Sequence, residues 1–324
     1  MRGTRLRRTV KKRILDVSNE VRRAKIDRHN GCVRVAVVSS DKWKSKVLDD
    51  LLITRNFLAN GIFAEIVSWQ DRKVDYRKYD AILIGSMWGY QKQLDDFYQW
   101  LKLIDDSGAS VINPTDVIRY NCNKVEQFRL IHKAGLPMIR TSAIKVGGLA
   151  NFKLPKIEFV IKPAVSGGGE NTFLIRNEKD FEEKYEILEK INEDMALLIQ
   201  PFVHEIADGE VGVVMIDGKI VNAVRRFPGV LAGEFHVEPV DHIPPELQKL
   251  AESAWSLYPG ITYMRLDTVE TETGYQIMEI EAFEPQLYYY LAKKKDREKM
   301  LDTMRQAVIK RIRENDNHDD EVDL

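Results

Sequence analysis

A lysine and a run of glycines stand close together in the middle of the chain. Lys162 lies near the end of the apolar stretch Phe159–Pro163, and three glycines at 167–169 follow Ser166. Glycines let successive backbone N–H groups turn toward one ligand and form a cradle for an anion. A lysine at the end of a strand adds a point charge for a phosphate. In a P-loop the lysine follows the glycines, so this segment predicts a phosphate-binding loop of another type.

Three carboxylates are grouped farther along the chain. Glu279 and Glu281 are two residues apart in an apolar run, so they share one face of a predicted strand. Residues 262–269 also read as a strand, and the turn at 272–275 joins the two as a hairpin. Pairing across this hairpin would bring Asp267 near both glutamates. Three carboxylates on one face attract Mg²⁺. The alternative is a solvated polar face with ordinary alternation.

The elements before residue 115 predict an open, largely parallel sheet. Apolar strands at 33–40, 62–67 and 81–85 alternate with helices at 46–60 and 97–107. The loop after the third strand, at 85–90, lies at a carboxyl end, which is the usual ligand side of such a sheet.

The pattern changes after residue 115. A helix at 124–134 leads to the lysine–glycine segment, and Asp217-Gly218 is the strongest short hairpin signal in the chain. The last predicted helix spans 295–313 and is basic and amphipathic. We therefore predict five regions: a basic N-terminal arm (1–30), an α/β domain (31–114), a subdomain with a glycine-rich lid (115–203), a C-terminal subdomain with the carboxylates (204–313) and an acidic tail (314–324).

Composition excludes several classes of protein. The chain has 324 residues and a net charge of −1, and its two cysteines, Cys32 and Cys122, give no disulfide framework. No apolar run approaches the roughly 20 residues of a membrane helix, and no signal-peptide hydrophobic region is present. These features predict a globular cytoplasmic protein.

The N-terminal arm is strongly basic. Residues 1–30 contain eleven Lys or Arg and three Asp or Glu. Val10, Ile14, Val17 and Val21 have helical spacing, which predicts a short amphipathic helix. Such an arm either touches an anionic surface or docks on the acidic remainder of the chain or on a second subunit, as in a homodimer. We favour a solvated arm that docks, because charge runs are usually solvated.

In their order along the chain, these motifs resemble those of the ATP-grasp superfamily of carboxylate–amine/thiol ligases. The resemblance covers roughly residues 33–310 and extends to bacterial glutathione-synthetase-like and ribosomal-modification-type ligases. It is closest to the subgroup that contains the cyclo-ligase of cycloserine biosynthesis. It implies an α/β ATP-grasp fold, in which an N-terminal open parallel α/β domain joins two α+β subdomains that clasp ATP. The motifs are Asn121-Cys-Asn-Lys124, Val160-Ile-Lys162-Pro, Ser166-Gly-Gly-Gly169, Gln200-Pro-Phe-Val-x-Glu-Ile, Gly209-Glu210, Asp217-Gly218-Lys219, Arg265-x-Asp267 and Met278-Glu-Ile-Glu-x-x-Glu-Pro.

The resemblance also implies a role for each site residue. Two lysines would hold the ATP phosphates, a glycine-rich lid would cover them, a crossover segment would bind adenine and one glutamate would bind the ribose. Three carboxylates would hold two ions of Mg²⁺ or Mn²⁺, and arginines would face the transferred phosphoryl group and the substrate carboxylate. Glu281 stands where many members carry asparagine. These residues are Lys124 and Lys162; Ser166, Gly167, Gly168 and Gly169; Gln200, Pro201, Phe202 and Val203; Glu210; Asp267, Glu279 and Glu281; and Arg265 with Arg225 or Arg226.

The implied activity is Mg·ATP-dependent amide formation through an acyl phosphate, on a small amino-acid-like or peptide substrate. Its partners would be a small-molecule carboxylate and an amine, and its chemistry would require no nucleic acid. Two alternatives stay open: a small-molecule kinase or phosphotransferase on the same fold, and a catalytically silent nucleotide-binding scaffold. The intact set of lysines and carboxylates argues against the scaffold. Loops at 85–90, 227–234 and 283–290 would select the substrates, which the sequence does not identify.

Overall fold

The computed structural model describes residues 2–23, 32–146, 153–191, 196–227 and 236–322, and side chains within 10–316 of these. The helices are α1 Arg2–Arg23, α2 Leu48–Ala59, α3 Leu94–Asp105, α4 Thr115–Asn121, α5 Lys124–Lys133, α6 Glu178–Glu189, α7 Pro245–Trp255 and α8 Lys294–Val322. The strands are β1 Arg34–Ser39, β2 Phe63–Ser68, β3 Ala81–Ile84, β4 Ser110–Ile112, β5 Ser142–Lys145, β6 Phe159–Pro163, β7 Phe173–Ile175, β8 Ala196–Pro201, β9 Glu210–Ile216, β10 Lys219–Phe227, β11 His236–Pro239, β12 Tyr263–Thr271 and β13 Gly274–Glu281. Short 3₁₀ helices lie at Tyr76–Lys78, Tyr90–Lys92 and His204–Asp208.

The first sheet is parallel, with the strand order β2-β1-β3-β4. Its strands are apolar on both faces because helices cover both faces. Val35 and Val37 pack toward α2 and α8, whereas Ala36 and Val38 pack toward α3. The predicted parallel sheet is therefore confirmed.

The second sheet is antiparallel, with the strand order β11-β10-β9-β12-β13. Alternate residues of each strand form its apolar face, where Val213, Met215 and Leu266 pack with α4, α5 and α7. Its other face carries charged residues of β9, β10, β12 and β13, because side chains alternate along a strand. This polar face holds the candidate site.

The third sheet is antiparallel, with the strand order β5-β8-β6-β7. Helix α6 covers one face, where Phe181 and Leu188 pack against Phe159 and Ile161. Lys162 lies on β6, the strand that leads into the glycine loop.

The two ends of the chain pack on the first layer. Val17 of α1 is buried, and Val10, Ile14 and Val21 are partly buried against the core that includes α2 and α8. The predicted amphipathic helix is confirmed, and it docks on the body of the protein. Helix α8 continues to Val322, beyond the predicted end at 313, so the acidic segment prolongs the helix to that residue.

Two sets of helices pack on sheets that belong to other predicted regions. Helices α4 and α5, at the start of the predicted region 115–203, contribute Val117 and Phe128 to the core of the five-stranded sheet. Helix α8, within the predicted region 204–313, packs on the parallel sheet through Met300 and Leu301. In both cases the apolar face of the helix packs against the sheet. None of the helices within the described residues is long and apolar enough to cross a membrane.

Candidate active site

The hairpin of β12 and β13 brings the predicted carboxylates together. Asp267 is paired directly with Glu279, and Arg265 with Glu281, across antiparallel strands. All four residues lie on the polar face of the five-stranded sheet. The structure thus contains the predicted hairpin, and its carboxylates lie close together.

Arginines stand between these carboxylates. The Arg265 guanidinium is 2.7 Å (Nε) and 2.9 Å (Nη2) from the two Asp267 oxygens, and its Nη2 is 2.6 Å from Glu281 Oε1. Arg226 Nη2 lies 2.6 Å from Asp267 Oδ2 and 2.9 Å from Glu210 Oε2. Although burial raises the pKa of Asp267, the guanidinium groups of Arg226 and Arg265 hold it below its usual value. Asp267 is therefore a buried anion between two arginines.

Two lysines complete the charged surface. Lys124 Nζ is in direct contact with Glu279 Oε1. Burial lowers the pKa of Lys162 to about 8, while the nearby Glu279 opposes this shift. A buried lysine with a lowered pKa gains most from an anionic ligand, because the ligand restores the charged form. The two predicted phosphate lysines thus lie beside the predicted metal carboxylates.

The carboxylates are held by cations rather than arranged around a vacant metal position. Among the residues that the structure describes, no group of three Asp, Glu, His or Cys side chains could hold a metal ion. In the structure, Lys124 and Arg265 lie against two members of the predicted three-carboxylate site, Glu279 and Glu281.

The donor chemistry nonetheless fits Mg²⁺. Glu284 Oε2 is buried, with no hydrogen-bond partner among the described residues, and burial raises the pKa of Glu284 well above its usual value. Burial, together with the charges of Asp267 and Glu279, raises the pKa of Glu281 to about 7. The unpartnered Glu284 oxygen is thus a further ligand atom near Glu281, and carboxylate oxygens of this kind suit Mg²⁺.

The two arginines proposed from the sequence have different surroundings. Arg225 and Arg226 are adjacent on β10, so their side chains point to opposite faces of the sheet. Arg226 belongs to the charged cluster, whereas Arg225 Nη1 donates a hydrogen bond of 2.9 Å to the Asp208 carbonyl. The structure therefore brings Arg226, and not Arg225, into the candidate site.

The glycine loop contacts the N-terminal layer. Gly168 and Gly169 have φ values of 62° and 73°, a region that side chains with a Cβ avoid. Just beyond them, Glu170 lies 2.6 Å from Lys92 Nζ and accepts a 3.1 Å hydrogen bond from Gln91 Nε2. Sequence reasoning missed Lys92 and Gln91, because no local pattern links them to a loop so far along the chain. Ser166 Oγ donates to the Pro163 carbonyl at 3.1 Å.

The predicted crossover joins the third sheet to the second. Gln200 and Pro201 end β8, and Val203 leads into the 3₁₀ helix before β9. Phe202 N donates to the Glu158 carbonyl at 2.9 Å, and Gln200 Nε2 donates to Thr141 Oγ1 at 2.9 Å. These contacts fix the main chain of the crossover. Glu210, the predicted ribose ligand, starts β9 and is paired with Arg226.

Buried amide side chains hold the edge strand β13 that carries Glu279 and Glu281. Gln127 exchanges two hydrogen bonds with Ile280, of 2.8 and 2.9 Å, and Asn121 Oδ1 accepts from Ala282 N at 2.9 Å. Asn113 Nδ2 donates to the Ala282 carbonyl at 2.6 Å. These amides satisfy backbone groups that an edge strand leaves unpaired. Asn113 and Gln127 were not identified from the sequence, because no local pattern distinguishes them from other polar residues.

Comparison with known proteins matches two parts of the chain to family models. Residues 35–113 match the N-terminal domain of D-cycloserine synthetase DcsG, and residues 138–238 match the ATP-grasp domain of prokaryotic glutathione synthetase. Both matches agree with the ATP-grasp resemblance recognised in the sequence. The cycloserine biosynthesis protein DcsG of Streptomyces lavendulae is 21% identical over 252 residues, covering 70% of this chain and 83% of that protein.

Solved structures agree with the ATP-grasp fold of the chain. The crystal structure of D-cycloserine synthetase DcsG superposes with a TM-score of 0.74 at 19% identity, covering 86% of this chain and 99% of that one. D-alanine–D-alanine ligase from Bacillus anthracis, complexed with ATP, superposes with a TM-score of 0.64 at 13% identity, covering 87% and 99%. The superfamily, fold class and enzyme class predicted from the sequence are confirmed.

Proposed function

We propose that this protein is a Mg·ATP-dependent ligase that activates a small carboxylate as an acyl phosphate and joins it to an amine. The observation that carries the proposal is the buried cluster in which Lys124, Arg226 and Arg265 contact Glu279, Asp267 and Glu281. Lys162 and the glycine loop lie beside it. The cluster supplies cations for a triphosphate and oxygen ligands for its counter-ion on one surface.

In this proposal, Lys124 and Lys162 bind ATP phosphates, and the loop of Ser166 to Gly169 covers them. Main-chain groups of the Gln200–Val203 crossover bind the adenine, and Glu210 accepts from the ribose hydroxyls. Lys124 now contacts Glu279, so the incoming phosphates compete with a carboxylate for this lysine. The carboxylates thereby become available to a cation.

Glu279 and Glu281, with Asp267, would hold the magnesium ions that enter with ATP. When bound, Mg²⁺ neutralises the phosphate oxygens and lowers the barrier to phosphoryl transfer. Glu284 is a further carboxylate on this surface. Its Oε2 is buried with no hydrogen-bond partner among the described residues, and its Oε1 lies near Gly167 of the lid. We propose that two ions bind here.

The first step transfers a phosphoryl group. A carboxylate oxygen of the substrate attacks the γ-phosphorus of ATP in line, the bond to the β-phosphate oxygen breaks, and ADP leaves. Arg265 and Arg226 would offset charge on the equatorial oxygens, because planar guanidinium groups match the geometry of oxyanions. Closure of the glycine lid would keep water away from the acyl phosphate.

The second step forms the amide. The lone pair of an unprotonated amine attacks the acyl carbon, the carbon–oxygen bond to phosphate breaks, and the amine proton passes to phosphate or water. Related ligases act on small-molecule substrates, which supports an amino-acid-like or peptide substrate here. The unpaired thiols of Cys32 and Cys122 agree with the cytoplasmic location that the proposal includes.

A co-substrate screen tests the proposal. The protein is incubated with Mg·ATP and pairs of amino acids or dipeptides, and ADP and free phosphate are measured. A ligase releases both, and the release depends on the carboxylate and the amine together. A kinase would leave the phosphoryl group on its acceptor, and a silent scaffold would release nothing. Glu279→Gln is the matched variant, which removes one charge at constant size and is expected to abolish turnover while the protein stays folded.

A further inference from the structure

Two neighbouring buried carboxylates in the first turn of α2 each hold a different loop. Asp49 Oδ2 accepts hydrogen bonds from the backbone N–H groups of Leu287 and Tyr288, at 3.1 and 2.8 Å. Asp50 accepts from the backbone and hydroxyl of Ser86, at 3.4 and 3.2 Å. The side chains are only 5% and 3% exposed. The chemistry proposed above uses neither of them.

The segment that Asp49 holds is in direct contact with Arg265. The Gln286 carbonyl accepts a hydrogen bond of 2.9 Å from Arg265 Nη1, and the Tyr288 ring lies 5.6 Å from Arg265 Cζ. Arg265 is the guanidinium between Asp267 and Glu281, and it is 2% exposed. A displacement of segment 286–288 would therefore displace the guanidinium that faces the transferred phosphoryl group.

The same segment has a strained backbone. Tyr288 has a φ of 56°, in the left-handed region that bulky residues avoid. Such a conformation persists only where surrounding contacts determine it, and it occurs preferentially at functional sites. The hydrogen bonds to Asp49 help to hold Tyr288 in this conformation. The side-chain amide of Asn222 also helps to hold the segment, because its Nδ2 donates to the Leu287 carbonyl at 3.1 Å.

We propose that Asp49 is a positioning residue of the ligase: it fixes segment 286–288 so that Gln286 and Tyr288 hold Arg265 in place. This inference rests on the proposed function. It predicts different outcomes for two substitutions of Asp49. Asp49→Asn keeps an oxygen that accepts from both backbone N–H groups, whereas Asp49→Ala leaves both groups without their acceptor.

The test measures kcat, KM for each substrate and the Kd of Mg·ATP. We expect Asp49→Ala to lower kcat by about tenfold to a hundredfold, the range that small misplacements of catalytic groups produce. The Kd of Mg·ATP should stay within about twofold, because the nucleotide groups lie on other elements, and Asp49→Asn should stay within about threefold of the parent in kcat. Equal kcat for Asp49→Ala and the parent, or equal losses in both variants, would overturn the proposal.

A matched control lies on the same helix. Thr54 is buried on α2 and donates a 2.7 Å hydrogen bond to the Asp50 carbonyl, and among the described residues it has no hydrogen bond to either loop. Thr54→Val should lower the melting temperature without changing kcat, which separates positioning from general stability. If Asp49→Ala does not fold, Asp49→Ser replaces it, because the shorter hydroxyl cannot reach both N–H groups.

Hydrogen exchange at Leu287 and Tyr288 tests the inference without relying on activity. Faster exchange of these amides in Asp49→Ala than in Asp49→Asn supports it, and equal exchange in the two variants contradicts it. If the parent protein releases no phosphate with any co-substrate pair, the proposed function is wrong. The exchange measurement then still decides whether Asp49 holds the segment.

Discussion

At the scale of single residues, the candidate site is a set of buried charged side chains, and the register of the five-stranded sheet determines which of them are paired. Lys162 is the member that depends most on a ligand, because burial lowers its pKa to about 8. A phosphate beside it would restore its charge and gain a charge-assisted hydrogen bond.

Lys162→Ala should therefore weaken binding of Mg·ATP. The loss of one charge-assisted contact costs on the order of 2 kcal/mol, which is about thirtyfold in Kd. Lys145→Ala is the control, since Lys145 is an exposed lysine on β5 of the same sheet. Calorimetry should give an unchanged affinity for the control. If the two variants bind equally well, Lys162 does not bind phosphate.

Asp50 gives the stability of the protein a particular dependence on pH. Burial raises its pKa to about 7, and the charge of Asp49 adds to this shift. In the unfolded chain the pKa of an aspartate is about 3.9. The folded state therefore binds more protons between these values, so the stabilising contribution is present at acid pH and is lost as the pH rises through about 7.

Asp50→Asn should flatten this dependence. The melting temperature of the parent protein, measured without nucleotide, should fall between pH 5 and pH 8 by more than that of the variant. Asp49, whose pKa burial raises to about 6, contributes in the same direction and leaves a residual slope. A parent and variant with parallel profiles would show that Asp50 does not carry the effect.

At the scale of elements, the glycine loop joins two layers of the molecule. Gly168 has a φ of 62°, whereas Gly167 has no left-handed φ and its added Cβ would meet only Glu284 Oε1, at an ordinary 3.8 Å. The two glycines thus form a matched pair. A β-branched residue is excluded from the left-handed conformation of Gly168. The backbone of Gly167 accepts a side chain, so alanine at this position serves as the comparison.

Gly168→Val should lower kcat more than it lowers thermal stability, while Gly167→Ala should change both only slightly. The loop has few side-chain contacts, so its closure over the phosphates depends on backbone conformation. Hydrogen exchange across residues 165–171 should show protection that increases on binding of Mg·ATP. Equal protection with and without nucleotide would identify the loop as a rigid turn.

At the scale of the whole molecule, helix α1 completes the core of the first layer. Val17 is 3% exposed, whereas Leu15, two residues earlier, is 61% exposed. Val17→Ala should cost roughly 1.5 kcal/mol, since it removes two buried methyl groups at about 0.8 kcal/mol each. Leu15→Ala is the control and should leave the free energy of unfolding nearly unchanged. Denaturant unfolding measures both.

Deleting residues 1–23 extends this comparison. The deletion should lower the melting temperature, because Val10, Ile14, Val17 and Val21 all pack against the core that includes α2 and α8. It should leave kcat unchanged, because no contact joins α1 to the charged cluster among the described residues. A folded deletion variant with a large loss of kcat would place α1 in the active site. Homodimer formation and contact with an anionic surface stay predictions.

Local patterns predicted the elements, but not the contacts between them. The apolar run of β1 and the alternation in β12 and β13 fixed the parallel sheet and the carboxylate face, because period and register follow from the sequence. The pairing of Arg226 with Asp267, of Lys92 with Glu170 and of Asp49 with Leu287 depends on how separate elements meet. No spacing encodes these distances. Of the substrate loops, 228–234 lie outside the described residues.

In the proposed reaction, a carboxylate is activated by phosphoryl transfer on the surface formed by Lys124, Arg226, Arg265 and their carboxylates. The most direct measurement uses a carboxylate substrate labelled with ¹⁸O, Mg·ATP and the amine, and determines the isotope in the phosphate released. An acyl-phosphate mechanism transfers one labelled oxygen from the carboxylate to phosphate, because the acyl carbon–oxygen bond breaks in the second step. We expect one ¹⁸O in each phosphate released, and no labelled phosphate from Glu279→Gln. Amide formation with unlabelled phosphate would contradict it.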